Sequence, residues 1–252
     1  MSDWNPEKYL LFQKQRTQPA IDLANRVRDC APRIIVDIGC GPGNSTAVLR
    51  EVFPQAEILG IDSSPSMIDR AKAKHGDLNF SLCSAEDLDG VYDLLFSNAC
   101  LQWIPNHEVF LPRLMEKLTD QGVLAVQMPM NREEPLYQII RAVATESKWD
   151  FQKVHFETND TLAPEEYFDI LSACARSFEQ WEVVYYHALP SHEHLIDWVR
   201  ETRLRPYLAV LDDGQKQQFE GEILVRVKAA YRPTSSGEII LKFRRFFFVA
   251  HR

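Results

Sequence analysis

The stretch Val36-Asp37-Ile38-Gly39-Cys40-Gly41-Pro42-Gly43-Asn44-Ser45 sets three glycines at alternate positions behind a carboxylate. Glycines so spaced carry no β-carbon, so a ligand can lie directly on the backbone. About twenty residues further on, Ile58-Leu59-Gly60-Ile61-Asp62 ends in a second carboxylate, the placement that suits hydrogen bonds to the two hydroxyls of a ribose. A dinucleotide loop would read G-x-G-x-x-G, with a helix N-terminus facing a pyrophosphate. Here the pattern is D-x-G-x-G-x-G, Pro42 interrupts it, and Asn44 stands where the third glycine belongs. Asp37 would repel a pyrophosphate and suits a ligand that carries positive charge.

Such a loop works only between a strand and a helix, and the flanking pattern supplies both. Ile34–Ile38 reads as a strand, and Asn44–Val52 has helical character. Further strands are expected at Ile58–Ile61, Leu78–Leu82, Tyr92–Phe96 and Val123–Gln127. Pro65–Lys74, opened by a capping serine and a first-turn proline, and Glu108–Leu118 fill crossovers as helices. Strands alternating with helices mark βαβ units and a parallel sheet. In the second half, Trp181–Tyr186 and Ile239–Val249 read as two more strands, separated by helically patterned residues. The expectation is a doubly wound, mostly parallel seven-stranded α/β sheet in one domain, 1–252. Residues 1–30 form an N-terminal helical lid, and 189–237 form a helical cap between the last two strands.

Composition narrows the partners. The 252 residues include 28 Lys and Arg against 36 Asp and Glu, a net charge of −8. That balance argues against duplex nucleic acid and anionic membrane as partners. A small anionic ligand is compatible if positive charge is gathered locally. The five cysteines show neither metal-knuckle nor disulfide spacing, so no metal is expected and a reducing cytoplasm is the natural compartment. No apolar signal region follows Met1, and Phe246 to Ala250 is too short a run to span a bilayer.

The loop and its acid resemble those of class I S-adenosylmethionine (SAM) methyltransferases, with a Rossmann-like fold. The resemblance implies that Gly39, Gly41 and Gly43, with Asn44, lie beneath the methionine part of SAM and that Asp37 helps anchor its ammonium through water. Asp62 would bind the ribose, Ser63 and Met67 would flank the adenine, and Ser97 and Asn98 would run beside the methionine chain. Cys83-Ser84-Ala85-Glu86-Asp87 matches the adenine-edge loop, where many relatives carry Asp at the place of Ser84; the N–H of Ala85 would serve the ring instead.

Nearly the whole chain is similar to one narrower family, trans-aconitate 2-methyltransferase. The matching stretches include Trp4-Asn5-Pro6, Phe96 to His107, Val126-Gln127-Met128-Pro129, Tyr185-Tyr186-His187, Leu204-Arg205-Pro206 and Phe243-Arg244-Arg245-Phe246. The similarity implies transfer of the SAM methyl group to a carboxylate of a small polycarboxylic acid, trans-aconitate first among the candidates. Another carboxyl substrate such as malonyl-acyl carrier protein is the alternative. A carboxylate is already ionised at neutral pH, so no general base is expected. The acid instead needs cationic and polar ligands, favouring arginine for its bidentate fork.

The candidates for that task are Tyr9, Arg16, Trp103, Tyr186, His187, Arg205 and Arg245. Tyr9 and Arg16 share one face of a helix at i and i+7. Trp103 follows the fourth strand, where open α/β sheets bind ligands. Tyr186 and His187 close a strand, where a core role competes. Arg205 is either a carboxylate ligand or a solvated helix-end cation. Arg245 lies in an apolar strand, facing either a binding cleft or an exposed edge, and Arg244 must point the opposite way. His192 and His194 read as surface residues.

Overall fold

A computed structural model describes residues 13–151, 161–200 and 202–252, the side chains of 13–16 excepted. Its centre is a seven-stranded sheet in the order β3-β2-β1-β4-β5-β7-β6. The strands are β1 Ile34–Ile38, β2 Glu57–Asp62, β3 Asn79–Leu82, β4 Tyr92–Asn98, β5 Leu118–Pro129, β6 Ser177–Leu189 and β7 Ile239–His251. β1 pairs in parallel with β2 and β4, β2 with β3, and β4 with β5. β7 then runs antiparallel to β5. The sheet is thus mostly parallel, as the alternating pattern requires, with the reversal at β7. In β1, Ile35, Val36 and Ile38 are all buried, the near-continuous apolar run of a strand covered on both faces.

The helices are α1 Gln13–Arg26, α2 Asn44–Val52, α3 Pro65–Lys74, α4 His107–Glu116, α5 Pro135–Ala144, α6 Pro164–Cys174, α7 His192–Arg200, α8 Arg205–Leu208 and α9 Asp213–Ala230. α2 begins after Gly43, whose φ of 86° is left-handed, a conformation that costs glycine little and other residues more. Pro65 occupies the first turn of α3 as expected, but Ser64 at the preceding position makes no side-chain cap. Its hydroxyl pairs with that of Ser66 at 3.1 Å instead.

The chain divides into two compact units. Among the described residues, one takes in 16–129, 161–183 and 245–252; the other takes in 13–15, 130–151, 184–200 and 202–244. The second has a core of its own. Leu136, Ile140 and Val143 of α5, Leu195, Trp198 and Val199 of α7, and Phe219, Ile223 and Val227 of α9 share one buried cluster. Each such side chain contributes about 1.5–3 kcal/mol when fully buried, which is what closes these short helices into a unit. α9 starts with a capping box: the Gln215 N–H donates to Asp212 Oδ1 at 2.8 Å, and Gln215 Oε1 accepts from the Asp212 N–H at 3.0 Å. Among the described residues no helix is long and apolar enough to cross a membrane, and no group of ligating side chains could hold a metal ion.

Candidate active site

The carboxyl ends of β1, β2 and β4 come together in the first unit, and the glycine loop rises from β1 between them. The N–H groups of Gly39 and Cys40 both donate to the Ile61 carbonyl, at 2.8 and 2.9 Å, so the loop is tied to the end of β2. Gly39, Gly41 and Gly43 have φ of 71°, 53° and 86°. At Gly41 a β-carbon would meet no atom within 4 Å, whereas at Gly39 it would lie 2.1 Å from Cys100 Sγ. Gly39 is therefore demanded by the protein itself. Gly41 borders open space.

Asp37 sits at the foot of this loop with no exposed surface. Its Oδ2 accepts from the hydroxyls of Ser45 and Thr46, both at 2.7 Å, while Oδ1 has no hydrogen-bond partner among the described residues. Burial pushes its carboxyl up to about 6; the two hydroxyls oppose that rise, and the nearby charge of Asp62 adds to it. A buried carboxylate with one oxygen unsatisfied calls for a cation. The loop therefore fits SAM on two observations of this structure: an orphaned anionic oxygen for an ammonium, and a glycine floor with room above Gly41.

Asp62 is held from both sides. Its Oδ2 accepts from the Gly41 N–H at 3.0 Å and its Oδ1 from the Ser64 N–H at 2.8 Å. A carboxylate has about four acceptor positions, so room remains for two ribose hydroxyls. Ser63 is exposed and Met67 half-buried beside it. The Ser84 Oγ accepts from the Glu86 N–H at 3.3 Å and caps the short turn Ala85–Asp87. Ser97 is buried and donates to the Ile38 carbonyl at 3.3 Å, and the Asn98 Oδ1 is buried without a partner among the described residues. Asn44 Oδ1 accepts from Lys74 Nζ at 2.6 Å. Burial pushes the Cys100 thiol up to about 12 and raises that of Cys40 as well, so neither is a thiolate nucleophile at neutral pH.

The expected acid-binding residues fall in both units. Tyr9 lies outside the described residues, as does the side chain of Arg16, whose backbone is in α1. In the first unit, Arg245 is 6% exposed and buried in β7, not at an exposed edge. Its Nη1 donates to Gln127 Oε1 at 3.3 Å. Arg244 points the other way and is exposed. Trp103, 48% exposed, lies in the short turn Leu101–Trp103 after β4. In the second unit, Tyr186 is 65% exposed, and Arg205 is exposed at the start of α8. His187 is buried among rings, 4.9 Å from Trp198, 6.0 Å from Phe243 and 6.3 Å from Tyr185 by centroid. His192 and His194, expected at the surface, are half-buried: His192 Nε2 donates to the Tyr231 carbonyl at 2.8 Å, and His194 Nδ1 pairs with Ser191 Oγ at 3.0 Å.

A family model described as a methyltransferase domain matches residues 33–188. The trans-aconitate 2-methyltransferase of Methylobacterium radiotolerans is 41% identical over all of this chain and 99% of its own length. That of Escherichia coli strain K12 is 42% identical with the same coverage. The chain belongs to the trans-aconitate 2-methyltransferase family.

Its fold is that of SAM methyltransferases more widely. The YcgJ protein of Bacillus subtilis aligns with a TM-score of 0.59 over 93% of this chain and 98% of its own, at 14% identity. The plantazolicin methyltransferase BpumL, solved with S-adenosylhomocysteine (SAH), aligns with a TM-score of 0.52 over 98% and 90%, at 15% identity. At such identities the likeness is one of fold.

Buried polar groups of the first unit that have no role in the sequence reading include Gln127 and His107. Gln127 is fully buried in β5 and touches Arg245. His107 is buried between the Tyr167 hydroxyl at 2.7 Å and the Leu101 carbonyl at 2.8 Å. For Gln127 a signal was present, an amide inside the apolar run Val123 to Met128. For His107 none was, since its partner Tyr167 is 60 positions away.

Proposed function

We propose that this chain transfers the methyl group of SAM to one carboxylate of trans-aconitate, giving the monomethyl ester and SAH. The observation that carries the reading is similarity to the two trans-aconitate 2-methyltransferases across the entire length of the chain. SAM, when bound, supplies a methyl group made electrophilic by its sulfonium.

The residues of the chain bind and orient. Asp37, through its unpartnered Oδ1, takes the ammonium, and Asp62 takes the ribose. Gly39, Gly41, Gly43 and Asn44 form the floor; Ser63 and Met67 flank the adenine, Ser84 and Ala85 meet its edge, and Ser97 and Asn98 border the methionine chain. Arg245 is the leading acid ligand: a buried guanidinium stays charged at any working pH and is stronger toward an anion than the same group in water. Trp103 lies in the turn that follows the carboxyl end of β4. The attacking carboxylate is ionised at neutral pH, so the chain has no proton to remove, and the rate comes from alignment of two bound reactants. Tyr186 and Arg205 remain candidate contacts of the acid. For Arg205, a raised KM in Arg205→Ala marks a carboxylate ligand and an unchanged KM marks a solvated cation.

The test is methyl transfer from labelled SAM to trans-aconitate, cis-aconitate, citrate, isocitrate and malonate, with malonyl-acyl carrier protein alongside and products identified by mass spectrometry. Trans-aconitate monomethyl ester formed well ahead of the rest supports the reading. SAM binding with no free acid methylated ends it and moves the search to carrier-bound acids.

A further inference from the structure

We infer that the side-chain amide of Gln127 is a specificity-determining donor that holds a carboxylate oxygen of the acid undergoing methylation, with its orientation set by Arg245. The inference rests on the carboxyl-methyltransferase reading above.

Gln127 stands near the end of β5, opposite Asn98 on β4 and Phe247 on β7, while Arg245 stands opposite Pro129. Strand alternation puts residues 127, 129 and 245 on one face, and the Arg245–Gln127 hydrogen bond at 3.3 Å agrees. The carboxyl ends of parallel strands are where α/β sheets bind ligands, and β7 delivers Arg245 to that end because it runs antiparallel.

The guanidinium settles which way the amide faces. Arginine has donors only, so the oxygen of Gln127 must face Arg245 and the NH2 must face away. Gln127 is wholly buried, and its Nε2 has no acceptor among the described residues. A buried donor left unmade carries an uncompensated desolvation penalty, and such groups in native structures have a reason to persist. An acceptor brought by a ligand supplies that reason. Beside a permanent positive charge, an anionic oxygen is favoured over a carbonyl or hydroxyl. A site built around such a donor rejects acids that lack the matching oxygen.

Two full-length variants and one wild-type measurement test this. Gln127→Glu keeps an oxygen toward Arg245 and removes the donor. Gln127→Met removes both polar ends at similar volume. In each, the KM for trans-aconitate should rise at least about tenfold, with SAM affinity and melting temperature near wild type. In the wild-type protein loaded with SAH, the Gln127 side-chain amide protons should shift downfield in NMR on adding trans-aconitate. An unchanged KM in a folded Gln127→Glu, or amide resonances that do not move, overturns the inference while leaving the methyltransferase reading standing. A loss of melting temperature and SAM affinity at constant KM shows a purely structural tie between strands, and also overturns it. If the wild-type chain esterifies no free acid, the reading itself falls and the inference falls with it.

Discussion

Thr46 donates its hydroxyl to Asp37 Oδ2 at 2.7 Å, the same oxygen that takes the Ser45 hydroxyl. The first turn of α2 thus reaches back to the end of β1 beneath the glycine loop, and both hydroxyls stabilise the ionised carboxylate against its burial. With Oδ2 doubly engaged, Oδ1 is the oxygen left for a ligand. The motif is a device for keeping one buried negative charge available to a cation.

That arrangement predicts how cofactor affinity depends on pH. Burial holds the Asp37 carboxyl at about 6, above its ordinary 3.8, so in the ligand-free protein it is mostly protonated below that pH. A cationic ligand requires the ionised form. The Kd for SAM should therefore be flat above pH 7 and rise toward tenfold per pH unit below about 6. The sign for stability is the reverse: the folded state binds this proton more tightly than the unfolded state, so the group adds stability to the ligand-free protein as pH falls through 6 toward 3.8. Titration calorimetry from pH 5 to 8 measures the first effect. In Asp37→Asn the slope should vanish and affinity at pH 8 should drop at least about tenfold. A variant that keeps the slope would show that another group is responsible.

Thr46→Val removes one of the two hydroxyls and leaves the volume nearly unchanged. The ionised carboxylate then loses a donor, so the midpoint of the SAM-binding profile should move upward from about 6, with little change in affinity at pH 8.5. A midpoint that stays in place or moves down would mean that the Thr46 hydrogen bond does not hold the charge.

How far these features were legible in the sequence depends on the range of the interaction. β1, α2 and α3 begin and end where the pattern put them, because local glycine and proline chemistry marks their ends. The reading of Glu108–Leu118 as helix overran: Lys117 caps α4 and Leu118 already opens β5, paired with Tyr92. The polar Thr119-Asp120-Gln121-Gly122 hid that beginning, and an irregular register between Tyr92 and Leu94 absorbs it. α5 was legible in principle, since Leu136, Ile140 and Val143 recur at helical spacing. α6 buries only Tyr167 and Leu171, too narrow a stripe to read. The glycine loop and both acids lie within one short stretch, whereas the Arg245–Gln127 pair spans 118 positions and arises only when β7 folds back on β5.

The glycines of the loop should separate by function. Gly39→Ala would drive a methyl into Cys100 at 2.1 Å from Sγ and 2.3 Å from Cβ, at a positive φ; a Cβ is fixed to its backbone and cannot swing aside, so the protein should lose about 3 kcal/mol or more of stability. Gly41→Ala meets nothing within 4 Å and bears only the left-handed backbone penalty of about 1 kcal/mol. It should remain folded and bind SAM at least about tenfold more weakly, because the new methyl occupies the floor. Urea denaturation and calorimetry read the two quantities separately. Equal losses of stability in both variants would contradict the assignment of open space above Gly41.

His107 and Tyr167 form a buried hydrogen-bonded pair between α4 and α6. The Leu101 carbonyl only accepts, so His107 Nε2 carries the proton; Nδ1 then accepts from the Tyr167 hydroxyl at 2.7 Å. The Tyr167 oxygen in turn takes the Leu162 N–H at 3.3 Å. Tyr167→Phe keeps the ring packed against Phe246 and Phe248, at 5.2 and 5.9 Å between centroids, and removes only the hydroxyl. It leaves the buried Nδ1 of His107 without its donor, at a cost of about 1–3 kcal/mol. The urea midpoint should fall accordingly at constant m, while SAM affinity stays near wild type because residues 37–46 are untouched. An unchanged midpoint would mean that water or a rearranged histidine satisfies the ring. A fall in SAM affinity would mean that the turn Leu101–Trp103, fastened by His107, also steadies the cofactor site.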